Sequence, residues 1–306
     1  MNRRPPARIA FLGFGLIGGS IAKALGAGGP GGHESEPGSH PHLSAWTPTG
    51  HGPVQAAADG VIDEAAGSIP EAVDGADLVV IAAPAMDAIE LVERLGSDLA
   101  THLTAGAVVT DVTSTKGAIT EVAVRSGLRF VGGHPMAGLE TSGYAAAVPA
   151  LFVDRPWVIV VPDGTPTATA DPVRWLATRC GAMPIEMSAA EHDAATAAVS
   201  HLPLVAAAAL VEAVHGGGGE AWAIARSLAS SGWASATRLA LGDPRMGAGI
   251  LATNRADVAA GVRALRAALD AWLTELERPD GPDAAALERR FAAVRAILES
   301  GMDDAR

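Results

Sequence analysis

Arg8-Ile9-Ala10-Phe11-Leu12 runs directly into Gly13-Phe14-Gly15-Leu16-Ile17-Gly18-Gly19-Ser20, and Ile21 to Leu25 continue with apolar residues at helical spacing. An apolar strand, a glycine turn and a helix, in that order, are the context a dinucleotide-binding fingerprint requires. Gly13 permits the tight turn, Gly15 lets the backbone approach a pyrophosphate, and Gly18 lets helix and strand pack closely. Leu16 and Ile17 open the helix, whose free N–H groups and positive dipole end attract phosphate. A glycine turn that holds no ligand is the plainer reading; the correct flanks on both sides argue against it.

Working outward, Leu43-Ser44-Ala45-Trp46 reads as the second strand. The acid that usually meets the ribose 2′-hydroxyl of NAD at this strand's end is absent; Thr47-Pro48-Thr49-Gly50 stands there instead. Without that acid a 2′-phosphate is not repelled, but no arginine follows to grip one, so NAD and NADP both stay open. Asp77 to Ala83 reads as a buried parallel strand stopped by Pro84, which puts Ala83 and Pro84 at the carboxyl end where ligands sit. Further strands are expected at Val108–Asp111, Phe130–Val131, Trp157–Val161 and Met183–Met187, with a helix from Asp171 to Arg179. This alternation predicts an α/β, Rossmann-like doubly wound parallel sheet over residues 1–188. From Ala190 alanine, leucine and arginine recur at helical spacing, broken at Gly216–Gly219, Gly242-Asp243-Pro244 and Pro279–Pro282, so residues 189–306 read as a smaller all-helical domain. No βαββαβ regulatory segment is expected after it.

The chain has 306 residues, 49% of them apolar, and a formal net charge of −12, which fits a two-domain globular protein and disfavours nucleic acid or an anionic membrane surface as partner. One cysteine, Cys180, rules out an internal disulfide. No signal peptide pattern is evident and no uninterrupted apolar stretch of about 20 residues is read, so a cytoplasmic protein without a membrane span is expected. Residues 26–42 are Gly-, Pro- and His-rich and read as a loop insertion; the histidines lack the carboxylate or cysteine spacing of a metal site, and none is expected.

The chemistry-bearing residues lie downstream. Gly132-Gly133-His134-Pro135-Met136-Ala137-Gly138 places an imidazole, His134, in what reads as a glycine-rich loop at the far end of the nucleotide domain, where it can take a proton while a nicotinamide takes a hydride. Ser114, in Asp111-Val112-Thr113-Ser114-Thr115-Lys116-Gly117, can present a hydroxyl to substrate or to His134, or simply cap a helix. His192 and His201 are nine residues apart, 2.5 turns, so on a straight helix they face opposite sides; Pro203 is where such a helix can bend. His201 reads as a ligand group or as a satisfied core histidine. Arg238 offers a planar fork suited to a carboxylate, or is a solvated charge. Only two lysines occur, Lys23 and Lys116, against twenty arginines, which makes each worth following.

These motifs, in this order, resemble the prephenate/arogenate dehydrogenase family of tyrosine biosynthesis, over roughly residues 8 to 260. The resemblance is carried by the glycine loop, Asp111 to Gly117, His134-Pro135-Met136-Ala137-Gly138 with Glu140 and Gly143, Leu151-Phe152, His192-Asp193, Ser200-His201-Leu202-Pro203, and Thr237-Arg238 with Asp243-Pro244 and Asn254. It implies that His134 accepts the proton of the substrate's ring hydroxyl, that Ser114 orients that hydroxyl and His134, that Arg238 binds the side-chain carboxylate, and that His201 lines the substrate pocket. It also implies a homodimer built through the helical domain, a small-molecule substrate and no metal. Gly13, Gly15, Leu16, Ile17, Gly18, Thr47, Ala83 and Pro84 are the expected contacts of NAD or NADP. The chain departs from the pattern at the missing ribose acid, at Leu204 and at Ser235. An amino-prephenate dehydrogenase of specialised metabolism, a 3-hydroxyacid dehydrogenase and a non-catalytic NADP-sensing protein of the same fold are the competing readings.

Overall fold

The computed structural model describes residues 5–26, 40–139 and 141–303. Most of the Gly/Pro/His-rich insertion (27–39) and Glu140 lie outside the described residues; His42, its last residue, belongs to a strand. The first part alternates strands and helices: β1 (Arg8–Leu12), α1 (Leu16–Leu25), β2 (His42–Trp46), α2 (His51–Ala58), β3 (Glu64–Ala65), α3 (Ile69–Val73), β4 (Leu78–Ile81), α4 (Ala85–Leu95), β5 (Val108–Asp111), α5 (Gly117–Arg125), β6 (Phe130–Pro135), β7 (Pro156–Val160), α6 (Asp171–Arg179) and β8 (Met183–Glu186).

The eight strands form one sheet in the order β3-β2-β1-β4-β5-β6-β7-β8. Strand order reverses between β1 and β4, the switch point at which ligands bind in open α/β sheets. All pairings are parallel except β6 with β7, so the sheet is doubly wound but mixed. Period-two alternation splits the central strands between two cores. Ile9, Phe11, Leu78 and Val80 face Ile21, Leu25, Val173 and Leu176, whereas Ala10, Leu12, Val79 and Ile81 face Ile69, Val73, Leu91 and Leu95. Both faces are covered, which is why these strands read as continuous apolar runs. Each fully buried Val, Leu, Ile or Phe side chain among them contributes about 1.5–3 kcal/mol relative to exposure.

Helices make up the rest: α7 (Ala189–Thr196), a π-helical segment (Ala197–His201), α8 (Leu202–His215), α9 (Glu220–Ser227), α10 (Ser231–Thr237), a 3-10 turn (Arg238–Leu241), α11 (Pro244–Thr253), α12 (Arg255–Leu276) and α13 (Ala284–Asp303). α7 opens on a capping box, with Ser188 accepting from the Glu191 N–H and Glu191 accepting from the Ser188 N–H. α8 ends on Gly216 in the left-handed region (φ 51°). By compactness the chain divides into a unit up to Val258 and a unit from Ala259. Within the second unit, Trp272 meets the Phe291 ring at 5.0 Å, and the Arg290 guanidinium lies 3.7 Å from the Trp272 ring centre.

One sequence expectation is corrected by this architecture. His134 is not in a loop: β6 extends to Pro135, and His134 pairs with Val158 of β7. The glycines before it are extended strand residues, placed there by crowding; a Cβ on Gly133 would sit 2.6 Å from the Asp111 carbonyl oxygen. Ala189–His215 is one continuous helix that by length and composition alone is apolar enough to cross a bilayer, although Glu191, His192, Asp193, Ser200 and His201 interrupt its apolar run. Its buried His192, Asp193 and His201 hydrogen-bond to other elements of the chain.

Candidate active site

The glycine loop has the geometry its sequence implies. Gly13 adopts φ 91°, and a Cβ there would lie 2.4 Å from the Ala82 carbonyl oxygen. A Cβ on Gly18 would meet the Gly13 carbonyl oxygen at 3.0 Å, so a side chain there would push the turn aside by a few tenths of an ångström. Gly15 differs, because a Cβ there would meet no protein atom within 4 Å. That open space lies at the start of α1, on the edge of a cavity of about 810 Å³.

Gly13, Phe14 and Gly15 line this cavity, with Trp46 to Thr49 from the end of β2, Ala82 to Pro84 from the end of β4, and Gly143 to Ala145. Of the expected cofactor residues, Gly13, Gly15, Thr47, Ala83 and Pro84 line it; Leu16, Ile17 and Gly18 build the helix start behind it. Its position at the switch point, its size and the vacant side of Gly15 fit a dinucleotide. Tyr144 closes one wall: its ring stacks on Phe14 at 5.6 Å, its hydroxyl donates to Asp59 (3.0 Å), and Lys23 stands over it while donating to the Ala147 carbonyl (2.8 Å).

The carboxyl ends of β5 and β6 lie at the same sheet edge and carry a second cluster. His134 is half-buried, and its Nδ1 lies 2.8 Å from Nε2 of His192. His192 Nδ1 lies 2.7 Å from Asp193 Oδ1. The Asp193 carboxylate in turn accepts the N–H groups of Lys116 (2.7 Å) and Gly117 (2.8 Å), capping α5 from 76 residues away in sequence. Ser114 does not cap α5; it is half-buried and makes no hydrogen bond within the described residues. His201 is buried, its Nδ1 faces the Asn254 amide nitrogen (3.3 Å), and its Nε2 has no partner among the described residues. The same Asn254 nitrogen donates to the Asp193 carbonyl (2.8 Å).

This order of groups assigns the protons. The Asp193 carboxylate can only accept, so His192 carries its proton on Nδ1 and offers the Nε2 lone pair. His134 then donates through Nδ1, which leaves its own Nε2 as a free base. Burial lowers the His134 pKa well below 6.5, and the nearby Lys116, His192 and His201 push the same way, so the ring is neutral at physiological pH. Burial alone would raise the Asp193 pKa, but the His192 hydrogen bond and the two backbone N–H groups outweigh it and the net direction is down. Burial also lowers the pKa of His201.

How His192 and His201 both reach the interior is explained by the π-helical segment between them. A π turn takes in one extra residue, which rotates the residues after it by about 100° and removes the half-turn opposition of a regular helix. Pro203, which cannot donate to the Val199 carbonyl, comes directly after that segment and Leu202. The fourth expected residue, Arg238, opens the 3-10 turn after α10 and is exposed.

The family model described as prephenate dehydrogenase, nucleotide-binding domain, matches residues 50–186, and that described as prephenate dehydrogenase, dimerization domain, matches residues 188–290. A prephenate dehydrogenase of Bacillus subtilis (strain 168) is 31% identical over 273 residues, covering 88% of this chain and 68% of that protein. The chain belongs to the prephenate/arogenate dehydrogenase family. It is a nicotinamide-dependent oxidoreductase. Its fold superimposes on Synechocystis arogenate dehydrogenase with a TM-score of 0.75 at 28% identity, covering 95% of this chain and 99% of that one. For the prephenate dehydrogenase of A. aeolicus in complex with hydroxyphenyl propionate and NAD+, the TM-score is 0.82 at 25% identity, covering 97% of each chain. The glycine loop lies before the first matched residue of the family model, so for this family member its reading rests on the geometry above.

The His134–His192–Asp193 chain is what sequence reasoning missed. His192-Asp193 was visible as a motif, but nothing local linked it to His134, 58 residues earlier.

Proposed function

We propose that this protein catalyses the NAD(P)-dependent oxidative decarboxylation of prephenate or arogenate, with His134 as the proton acceptor. The observation that carries this reading is the His134–His192–Asp193 chain, which leaves a neutral imidazole with a free Nε2 at the carboxyl edge of the sheet.

Gly13, Gly15, Thr47, Ala83 and Pro84 would hold the dinucleotide, with Leu16, Ile17 and Gly18 presenting the helix N-terminus to its pyrophosphate. When bound, the nicotinamide supplies the hydride acceptor. His134 Nε2 accepts the proton of the substrate's C4 hydroxyl, and the ring carboxylate leaves as carbon dioxide as the ring becomes aromatic. Ser114, whose hydroxyl has no partner among the described residues, orients the C4 oxygen. His201 Nε2–H, buried and unpartnered, meets a substrate polar atom, since burying that donor unpaired costs about 1–3 kcal/mol. Arg238 takes the side-chain carboxylate. Aromatisation supplies the driving force, so the residues act chiefly by placing the base and excluding water.

A homodimer fits the exposed apolar side chains of the helical part: Leu210, Ile224, Leu228 and Leu241 in the first unit, and separately Leu269, Phe291 and Ile297 in the second. A buried, unpaired Cys180 fits a reducing, cytoplasmic setting. The test is absorbance at the reduced-nicotinamide band with prephenate or arogenate, each with NAD or NADP. Turnover in one or more of the four pairings is expected and also fixes both preferences. Silence in all four by a protein that binds cofactor would overturn the proposal and point to the amino-substituted substrate or the NADP-sensing reading.

A further inference from the structure

Lys116 is one of the two lysines in the chain, and it is fully buried. It touches both ends of the His134 assembly. Strand β6 stops pairing with β5 at Val131, so the peptide groups of Gly133 on that side have no strand partner. Side chains replace it. Lys116 Nζ donates to the Gly133 carbonyl (2.8 Å), and the Gly133 N–H donates to Asp111 Oδ1 (3.2 Å). Lys116 Nζ also forms an ion pair with Asp111 and lies 3.2 Å from Thr113 Oγ1. Its backbone N–H holds Asp193, the far end of the relay. The contacts close a ring: His134 to His192, to Asp193, to the Lys116 backbone, and through the Lys116 side chain back to the peptide next to His134.

We propose that Lys116 is a positioning residue for the reaction: it fixes where His134 stands by clamping Gly133 and Asp193, and as a buried cation beside the base it favours the neutral ring. The proposal rests on His134 being the proton acceptor. Among the described residues, the titratable groups that act on His134 are Lys116 from the β5–α5 segment, His192 from α7 and His201 from the π-helical segment, with Asp111 bound to the neighbouring Gly133 N–H and Asp193 behind His192. Lys116 is the one cation among them that is neither a histidine nor exposed. Its own pKa is lowered by burial and held up by Asp111, and it stands second only to burial in lowering that of His134.

The test is the acidic limb of the pH profile of kcat/KM, with NMR titration of the His134 ring, in wild type and in Lys116→Met. Asp111→Asn/Lys116→Met is a second variant that leaves no unpaired buried charge. In Lys116→Met the limb and the ring titration should move up together by about one pH unit, as loss of one buried neighbouring cation implies, and in the double variant, which also removes the Asp111 carboxylate, they should move up together by less. Cofactor Kd should stay unchanged, because Lys116 does not line the dinucleotide cavity. A rate that falls at every pH while limb and titration stay put would overturn the proposal and leave Lys116 a structural residue. In wild type alone, a His134 ring titrating at or above 6.5 would overturn it too. His134→Asn separates the two claims. If that variant turns over normally, the base assignment fails; if it is inactive and the Lys116 variants show no shift, only the Lys116 proposal fails.

Discussion

Replacing Asp193 with asparagine changes one oxygen to an amide nitrogen at the end of the His134–His192 chain. Both carboxylate oxygens are committed: Oδ1 to His192 Nδ1 and the Lys116 N–H, Oδ2 to the Gly117 N–H. If the asparagine oxygen takes the Oδ1 place, its NH2 group faces the Gly117 N–H, and a buried donor goes unsatisfied at a cost of about 1–3 kcal/mol. If the amide is flipped, NH2 faces His192 Nδ1, and that ring moves its proton to Nε2. His134 Nδ1 then becomes the acceptor, its proton sits on Nε2, and the base is gone. General-base catalysis is worth roughly 10²–10⁴-fold, so kcat should fall by about that factor in the flipped form. Steady-state turnover and fluorescence binding measure this; cofactor Kd should stay within about threefold, because Asp193 does not touch the cavity. A folded Asp193→Asn enzyme with kcat within about threefold of wild type and no loss of stability would refute the reasoning, since one orientation costs stability and the other costs the base.

Other outcomes rest on the same geometry. The acidic limb of kcat/KM should lie below the ordinary histidine value, because burial and Lys116 depress the His134 pKa; a limb above 6.5 would contradict the assignment. Stability should decline as pH falls through 6.5 towards the lowered folded-state values of His134 and His201, since the unfolded chain takes up those protons first; urea unfolding across that window checks the sign. Gly13→Ala should cost about 1–3 kcal/mol in stability, from overpacking against Ala82 at a positive φ, whereas Gly15→Ala should unfold like wild type yet bind cofactor at least about tenfold more weakly. Arg238→Ala should raise substrate KM by about tenfold or more and leave cofactor affinity in place; an unchanged KM removes Arg238 from the site.

Much of the fold is legible in the chain because local and tertiary signals agree. The runs at Arg8–Leu12, Leu78–Ile81 and Val108–Asp111 are buried on both faces, so composition alone marks them as strands. The helix breaks at Gly216, Pro244 and Pro279–Pro282 fall where helices end or begin. Legibility fails where a distant partner decides. Gly132 and Gly133 signal a turn locally, but pairing with Val160 and Ile159 draws them into β6. The helical phase from His192 to His201 cannot be read through a π turn. Ser114 reads as a cap, yet the carboxylate that caps α5 comes from Asp193. The cavity is foreshadowed by its glycines, whereas the wall built by Tyr144 on Phe14 and Lys23 has no local signature.

The most direct test of His134 as the proton acceptor is turnover by His134→Asn, with cofactor and substrate binding measured on the same preparation. The predicted result is a loss of roughly 10²–10⁴-fold in kcat with both binding constants nearly unchanged. A His134→Asn enzyme that binds both and turns over at a near-normal rate would contradict that role.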